Sequence, residues 1–129
     1  MADNTSTRPA VASITQADID AGKTMGILAY ILFLIPLFAA RDNKYAMFHT
    51  EQAIALWIAF IVIYIAMWIL TYVVGMISSS LACIISILGI IPWLAYLVLW
   101  IMGLINAIGG KVKELPVVGS WGAKLNLVK

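Results

Sequence analysis

Charge is scarce in this chain. Of its 129 residues, 11% are Asp, Glu, Lys or Arg, while 64% are hydrophobic. A soluble domain carries about 25% charged residues. A domain of this size buries only about two-thirds of the surface its unfolded chain exposes, so the apolar excess has to face lipid. The net charge is only +2, and no basic patch interleaved with aromatics is present, which excludes nucleic acid as a partner. Cysteine occurs once, as Cys83. That excludes an internal disulfide and any paired thiolate site for a metal. Between Ala82 and Ile84, it is expected to be a small buried apolar residue. Histidine also occurs once, as His49. From Gln52 to Gly110 there is no charge at all.

The apolar residues fall into runs, and the runs predict an all-α integral membrane protein of one domain with three transmembrane helices. Residues 1–17 read as a disordered polar tail. Thr15 and Asp18 have the spacing of a capping box and predict a short helical turn leading into the membrane. The lead-in is slightly acidic where a signal peptide is basic, so the first run is expected to be retained. That run, about 24–40, contains Pro36, a residue that kinks a helix. At 1.5 Å per residue it reaches about 25 Å, just under a hydrocarbon core of about 30 Å.

"RDNK", Arg41 to Lys44, makes a polar turn. The second span, about 46–75, is longer than a perpendicular crossing needs, so an interfacial first turn is expected at Tyr45, Phe48 and His49. Gly75 to Ser80, "GMISSS", is the only break in the long apolar region. The third span is expected within 81–108 despite Pro92. A four-span rival splits this region into a short re-entrant piece, Met76 to Ile91, and a helix from Trp93. The domain division is thus 1–17 tail, 18–110 membrane domain and 111–129 tail. In the last segment Gly109 and Gly110 stop the helix. Trp121, Leu125 and Val128 recur at helical spacing beside Lys124 and Lys129, which predicts a basic amphipathic segment on the membrane surface.

Counting cations assigns the C-terminal tail to the cytoplasm. With three spans, Arg41, Lys44, Lys111, Lys113, Lys124 and Lys129 share a side against Arg8 and Lys23; with four, the tail joins Arg8 and Lys23 against Arg41 and Lys44. The tail's side is the same in both cases.

The polar residues at the span ends are the candidates for function. His49 and Gln52 share a helix face, with Glu51 beside them. One reading is a protonatable pair at the mouth of an ion path. The other is an anchor, hydrogen-bonded to headgroups or to the first helix. Beyond Gln52 the span offers only Tyr64, Thr71 and Tyr72, a poor relay. Asn106 is expected to hydrogen-bond another helix, for roughly 0.6–2 kcal/mol. Two aromatic stripes, Tyr64–Trp68–Tyr72 and Trp93–Tyr96–Trp100, suit helix packing, lipid or a partner. One histidine cannot supply two axial haem ligands, so no cofactor is expected. There is no nucleophile with a base, no carboxylate pair and no phosphate loop, which argues against an enzyme.

Several short motifs carry a resemblance. Leu28-Ala29-Tyr30-Ile31, Ile35-Pro36-Leu37, and Phe48-His49 with Gln52 resemble the Tic20-like family, known in bacteria as the DUF4870 group. The ending, through Gly103, Asn106, Ala107, Gly110, Leu115, Pro116 and Gly119, is similar too. The resemblance covers about 18–119. It implies a small membrane protein of the bacterial inner membrane, associated with protein translocation. The combined expectation is a non-enzymatic subunit or assembly component that works by helix packing. Its partners would be the lipid bilayer and other membrane subunits, or copies of itself. The alternative is an oligomeric transporter or channel subunit with His49 and Glu51 at the pathway mouth.

Overall fold

The computed structural model describes residues 8–129, and among these every regular element is helical. The elements are α1 (Pro9–Ala12), α2 (Gln16–Ile31), α3 (Leu34–Ala39), α4 (Lys44–Gly75), α5 (Ser79–Leu88), α6 (Ile90–Ile108) and α7 (Gly119–Gly122). A short 3-10 turn, Ala123–Leu125, follows α7.

Local chemistry explains most of the boundaries. Thr15 and Asp18 form the expected capping box. It opens a helix of 16 residues, longer than the turn expected there. The Asn43 side chain accepts from the Ala46 amide and starts α4, and Ser78 does the same for α5 through Leu81. Both satisfy amides that a helix start leaves without partners. Gly110, at φ 71°, takes the left-handed conformation that ends α6.

Two helical stretches are long and apolar enough to cross a membrane, Lys44–Gly75 and Ser79–Ile108. The second includes Gly89 and Pro92 and stays nearly continuous. Pro92 is the third residue of α6, so its missing N–H falls in a first turn, where no helical partner exists. Tyr64 on α4 donates its hydroxyl to the Gly89 carbonyl at 2.5 Å and closes the joint.

The first expected span, 24–40, is not one helix. Leu32 is extended, at φ −149° and ψ 95°, and ends α2. Pro36 is the third residue of α3, the same first-turn position that Pro92 holds in α6. Here it belongs to a new helix that turns back. Gly26 lies against Tyr45 and His49, the Tyr30 hydroxyl meets His49, and the Phe33 ring meets Trp57 at 5.5 Å. These contacts advance along both helices together, so α2 and α4 run parallel. Yet Asn43, just after α3, donates from Nδ2 to the Asp18 carbonyl at 3.0 Å. The chain between 33 and 43 has therefore returned to the level at which α2 began. α6 runs antiparallel to α4, with Ala107 beside Tyr45 and Tyr96 beside Phe60.

This topology collects the start of α2, the "RDNK" turn and the C-terminal tail at one end. Six of the eight Lys and Arg residues belong to the turn and the tail, and the other two are Arg8, which pairs with Glu51, and Lys23 in the first half of α2, beside Gly110. The opposite end is the uncharged link between α4 and α5.

Four other expectations change. The part of the N-terminal tail within the described residues is folded: α1 buries Val11 completely against Tyr45, Phe48 and Val128. Residues 1–7 lie outside the described residues. The tail from 111 is not an amphipathic surface helix. Pro116, Gly119 and Gly122 break its periodicity, and it runs as an irregular strap across α4 with Val112, Leu115, Val118 and Val128 buried. Cys83 is exposed, because α5 packs on α4 through Ala82 rather than through its neighbour. The aromatics expected at the headgroup level, Tyr45 and Phe48, are fully buried in protein, since the strap and α1 cover them.

Candidate functional site: a buried polar clasp

Four polar residues follow one another in α4: His49, Thr50, Glu51 and Gln52. Successive helical residues point about 100° apart, so four in a row cover the whole circumference. All four are at most 1% exposed. A polar group buried without a partner costs about 1–3 kcal/mol, so each direction needs its own. Each has one.

His49 joins α2 to the chain after α6. Its Nδ1 lies 2.8 Å from the Tyr30 hydroxyl and its Nε2 2.9 Å from the Lys111 carbonyl. A carbonyl only accepts, so Nε2 carries the hydrogen and donates it to Lys111. In the neutral ring Nδ1 then accepts from Tyr30. Thr50 donates to the Ala46 carbonyl of its own helix at 2.8 Å.

Glu51 receives both ends of the described chain. Arg8 donates two hydrogen bonds, at 2.7 and 3.1 Å, in a forked pair, and the Leu127 amide donates to Oε2 at 2.9 Å. The planar guanidinium matches the carboxylate geometry. Gln52 holds the strap's turn. Its Nε2 donates to the Gly119 carbonyl at 3.0 Å, and its Oε1 accepts from the Leu115 amide at 2.8 Å.

Tyr45 completes the set by donating to the Ala107 carbonyl at 2.7 Å, at the end of α6. No buried side-chain N or O among the described residues lacks a partner.

The glycines are what let these contacts close. A Cβ on Gly119 would sit 2.6 Å from Gln52 Oε1, and one on Gly122 would sit 2.8 Å from the Glu51 carbonyl oxygen. A Cβ on Gly103 would lie 2.4 Å from the Tyr30 ring.

The candidates read from sequence thus divide. Phe48, His49, Gln52, Leu115 and Gly119 come together in one cluster. Gly110 serves as the stop after α6, with Ile19 packed on it. Pro116 is exposed at the strap's turn and accepts from Val118 through its carbonyl at 2.8 Å. Asn106 contributes its backbone carbonyl, which accepts from the Lys111 amide at 2.9 Å. Arg8, Tyr30, Tyr45, Leu127 and Gly122 were missed. The signal that could have found Tyr45 and the tail contacts is the run of four polar residues itself, since a helix polar all round must be wrapped all round.

The arrangement is closed chemically. Both ring nitrogens of His49 are engaged, and Glu51 is neutralised and enclosed. Both side chains are 0% exposed and directed at partners inside the protein. Among the described residues no group of three His, Cys, Asp or Glu is placed to hold a metal ion. An apolar cleft of about 250 Å³ lies at the α2–α3 break beside Trp57, Tyr96 and Trp100.

An all-helical chain with two long apolar helices and a knot of polar contacts at one end is a small membrane-type protein. Residues 19–122 match the magnetosome magnetite crystal formation protein family (MamF/MmsF), and the chain belongs to it. No curated protein and no solved structure matches it. The family match overturns the Tic20-like and DUF4870 assignment, and the translocation role that rested on it falls too. The physical reason lies in the motifs used. His49, Gln52, Leu115 and Gly119 close the clasp, with Phe48 packed on His49 and Pro116 at the strap's turn, so these motifs report a way of folding rather than a task.

Proposed function

We propose that this protein is a non-enzymatic component of the membrane in which magnetite crystals form, and that it acts through contacts with lipid and other membrane proteins. The observation that carries the proposal is the family match over 19–122. The geometry supports it. The polar groups that would serve chemistry are consumed in holding the fold, whereas the outer faces of α4, α5 and α6 are broadly apolar and exposed. Such faces suit lipid, partner helices or further copies of the chain. Gathering every cation at one end supports a cytoplasmic location for that end, the C-terminal tail included.

The test is deletion in a magnetite-forming bacterium, with crystal size and shape measured by electron microscopy. Altered crystals, restored by the wild-type chain, are expected. The tagged protein, taken from the same membranes into lipid nanodiscs, should carry stoichiometric companions or self-associate. Unchanged crystals together with a solitary monomer would overturn the proposal.

A further inference from the structure

The tip of the α2–α3 hairpin lies beyond the clasp, which reaches α2 at Tyr30. We propose that it enters one leaflet only, so that the chain crosses the membrane twice and keeps its N-terminal arm, the "RDNK" turn and its C-terminal tail on the same face. This rests on the membrane reading above.

Four observations carry it. First, α2 descends beside α4 from Gly22 to Phe33, about 16 Å at about 1.5 Å per residue, and the ten residues after Phe33 climb back to Asn43. That depth is roughly half of a hydrocarbon core of about 30 Å. Second, the tip is apolar and faces outward. Ile31, Leu32, Leu34, Ile35 and Phe38 are all exposed, Phe38 at 80%. Third, the tip meets α4 at Trp57, where the wrapped half of α4 ends and its exposed apolar half begins, so the tip's surface continues into the lipid-facing one. The base of the hairpin, by contrast, carries Arg41, Asp42 and Lys44.

Fourth, the break is fit for an apolar medium. Non-helical backbone within lipid has to find its partners inside the protein. The Leu32 amide donates to the Leu28 carbonyl at 2.7 Å, and the Tyr30 carbonyl accepts from the Trp100 indole at 2.7 Å. The Leu32 carbonyl accepts from the Ile35 amide at 3.1 Å.

The consequence is an uneven footprint. Among the described residues, α2, α3, α4 and α6 share the cross-section near the charged end, whereas α4 and α5 form it at the far end. The hairpin therefore displaces acyl chains from one leaflet and not from the other.

Single cysteines test this in a Cys83→Ser background, using a membrane-impermeant maleimide on the full-length protein in sealed vesicles of both orientations. Ala17→Cys, Asp42→Cys and Ile77→Cys all alter exposed positions. Two crossings predict that Ala17→Cys and Asp42→Cys label from one side and that both lose labelling from the other, where Ile77→Cys labels. Labelling of Ala17→Cys and Asp42→Cys from opposite sides would overturn the hairpin, because α2 and α3 would then form a full crossing. The membrane reading is separable from this. Release of the protein by alkaline carbonate would remove both readings, whereas a carbonate-resistant protein with opposite-side labelling removes only the hairpin.

Discussion

The two halves of α4 belong to one continuous helix and yet answer to different solvents. From Tyr45 to Gln52 every residue is buried, four of them polar. From Trp57 to Gly75 the helix is apolar and largely exposed, with Trp68 at 71%. In the first half protein supplies the partners: α1, α2, the end of α6 and the strap. In the second half, beyond the Phe33 contact at Trp57, α5 and α6 pack against the helix among the described residues, and much of the remainder faces outward. Trp57 to Gly75 spans about 28 Å at about 1.5 Å per residue, close to one hydrocarbon thickness. The excess length of α4 over one such thickness is the part that α1, α2 and the strap wrap. The difference teaches that in this chain polar residues mark where protein, rather than lipid, surrounds a helix.

The strongest way to break the comparison is to leave a charge in the wrapped half without its partner. Arg8→Ala removes the fork from Glu51 and leaves one amide on a buried carboxylate. A loss of about 3 kcal/mol is expected, at the low end for a broken buried pair. Thermal unfolding in nanodiscs and faster proteolysis of the tail would report it. Arg41→Ala, at an exposed site, should change stability by less than about 0.5 kcal/mol. Equal effects would mean that the Arg8 pair does not hold the ends together.

His49→Phe comes next. It keeps a ring in the site but strips both nitrogens, leaving the Tyr30 hydroxyl and the Lys111 carbonyl unpaired. A cost of about 2 kcal/mol is expected from these groups. The tail should loosen near Lys111 in hydrogen exchange while α5 stays unchanged. Exchange that rises uniformly would instead point to general misfolding.

Gly119→Ala should cost about 1–3 kcal/mol, since the added methyl meets Gln52 and Glu114 and the strap has to shift. Its effect should be smaller in a Gln52→Ala background, where the closest clashing atom is gone. Additive losses in the double variant would separate the two residues.

The smallest effect belongs to the other half. Trp68→Leu exchanges one lipid-facing apolar residue for another, and stability should move by less than about 0.5 kcal/mol. A changed oligomeric state in nanodiscs would show that this face meets protein rather than lipid.

Much of the local structure was legible in the residues. Thr15 with Asp18, Asn43, Ser78 and Gly110 each mark a boundary through a hydrogen bond or a backbone conformation that acts within a few positions. The hairpin was not legible. A proline inside an apolar run means a kink if the neighbours carry the helix through and a fresh start if they do not. Pro36 and Pro92 occupy the same position in their helices, yet one chain turns back and the other goes on. The site was half legible. "FHTEQ" and "KELPVVG" stand out as polar or glycine-bearing interruptions, but that Gln52 holds Leu115 and Gly119 is a contact across more than sixty positions. Arg8 gave no signal, since one arginine in a polar lead-in resembles any other.

By itself the sequence determined that the chain would be helical, that its long apolar stretches would leave water, and that the residues near His49 would need partners. Those outcomes follow from composition and from hydrogen bonds that act nearby. Only the tertiary structure decided what each surface met. Apolar burial has no direction, so the runs around Pro36 and Pro92 were free to end in lipid or in protein. The polar residues removed that freedom. Glu51 needs donors, and Gln52 a donor and an acceptor, at hydrogen-bonding distance, and meeting them drew the tail and the N-terminal arm onto one end of α4.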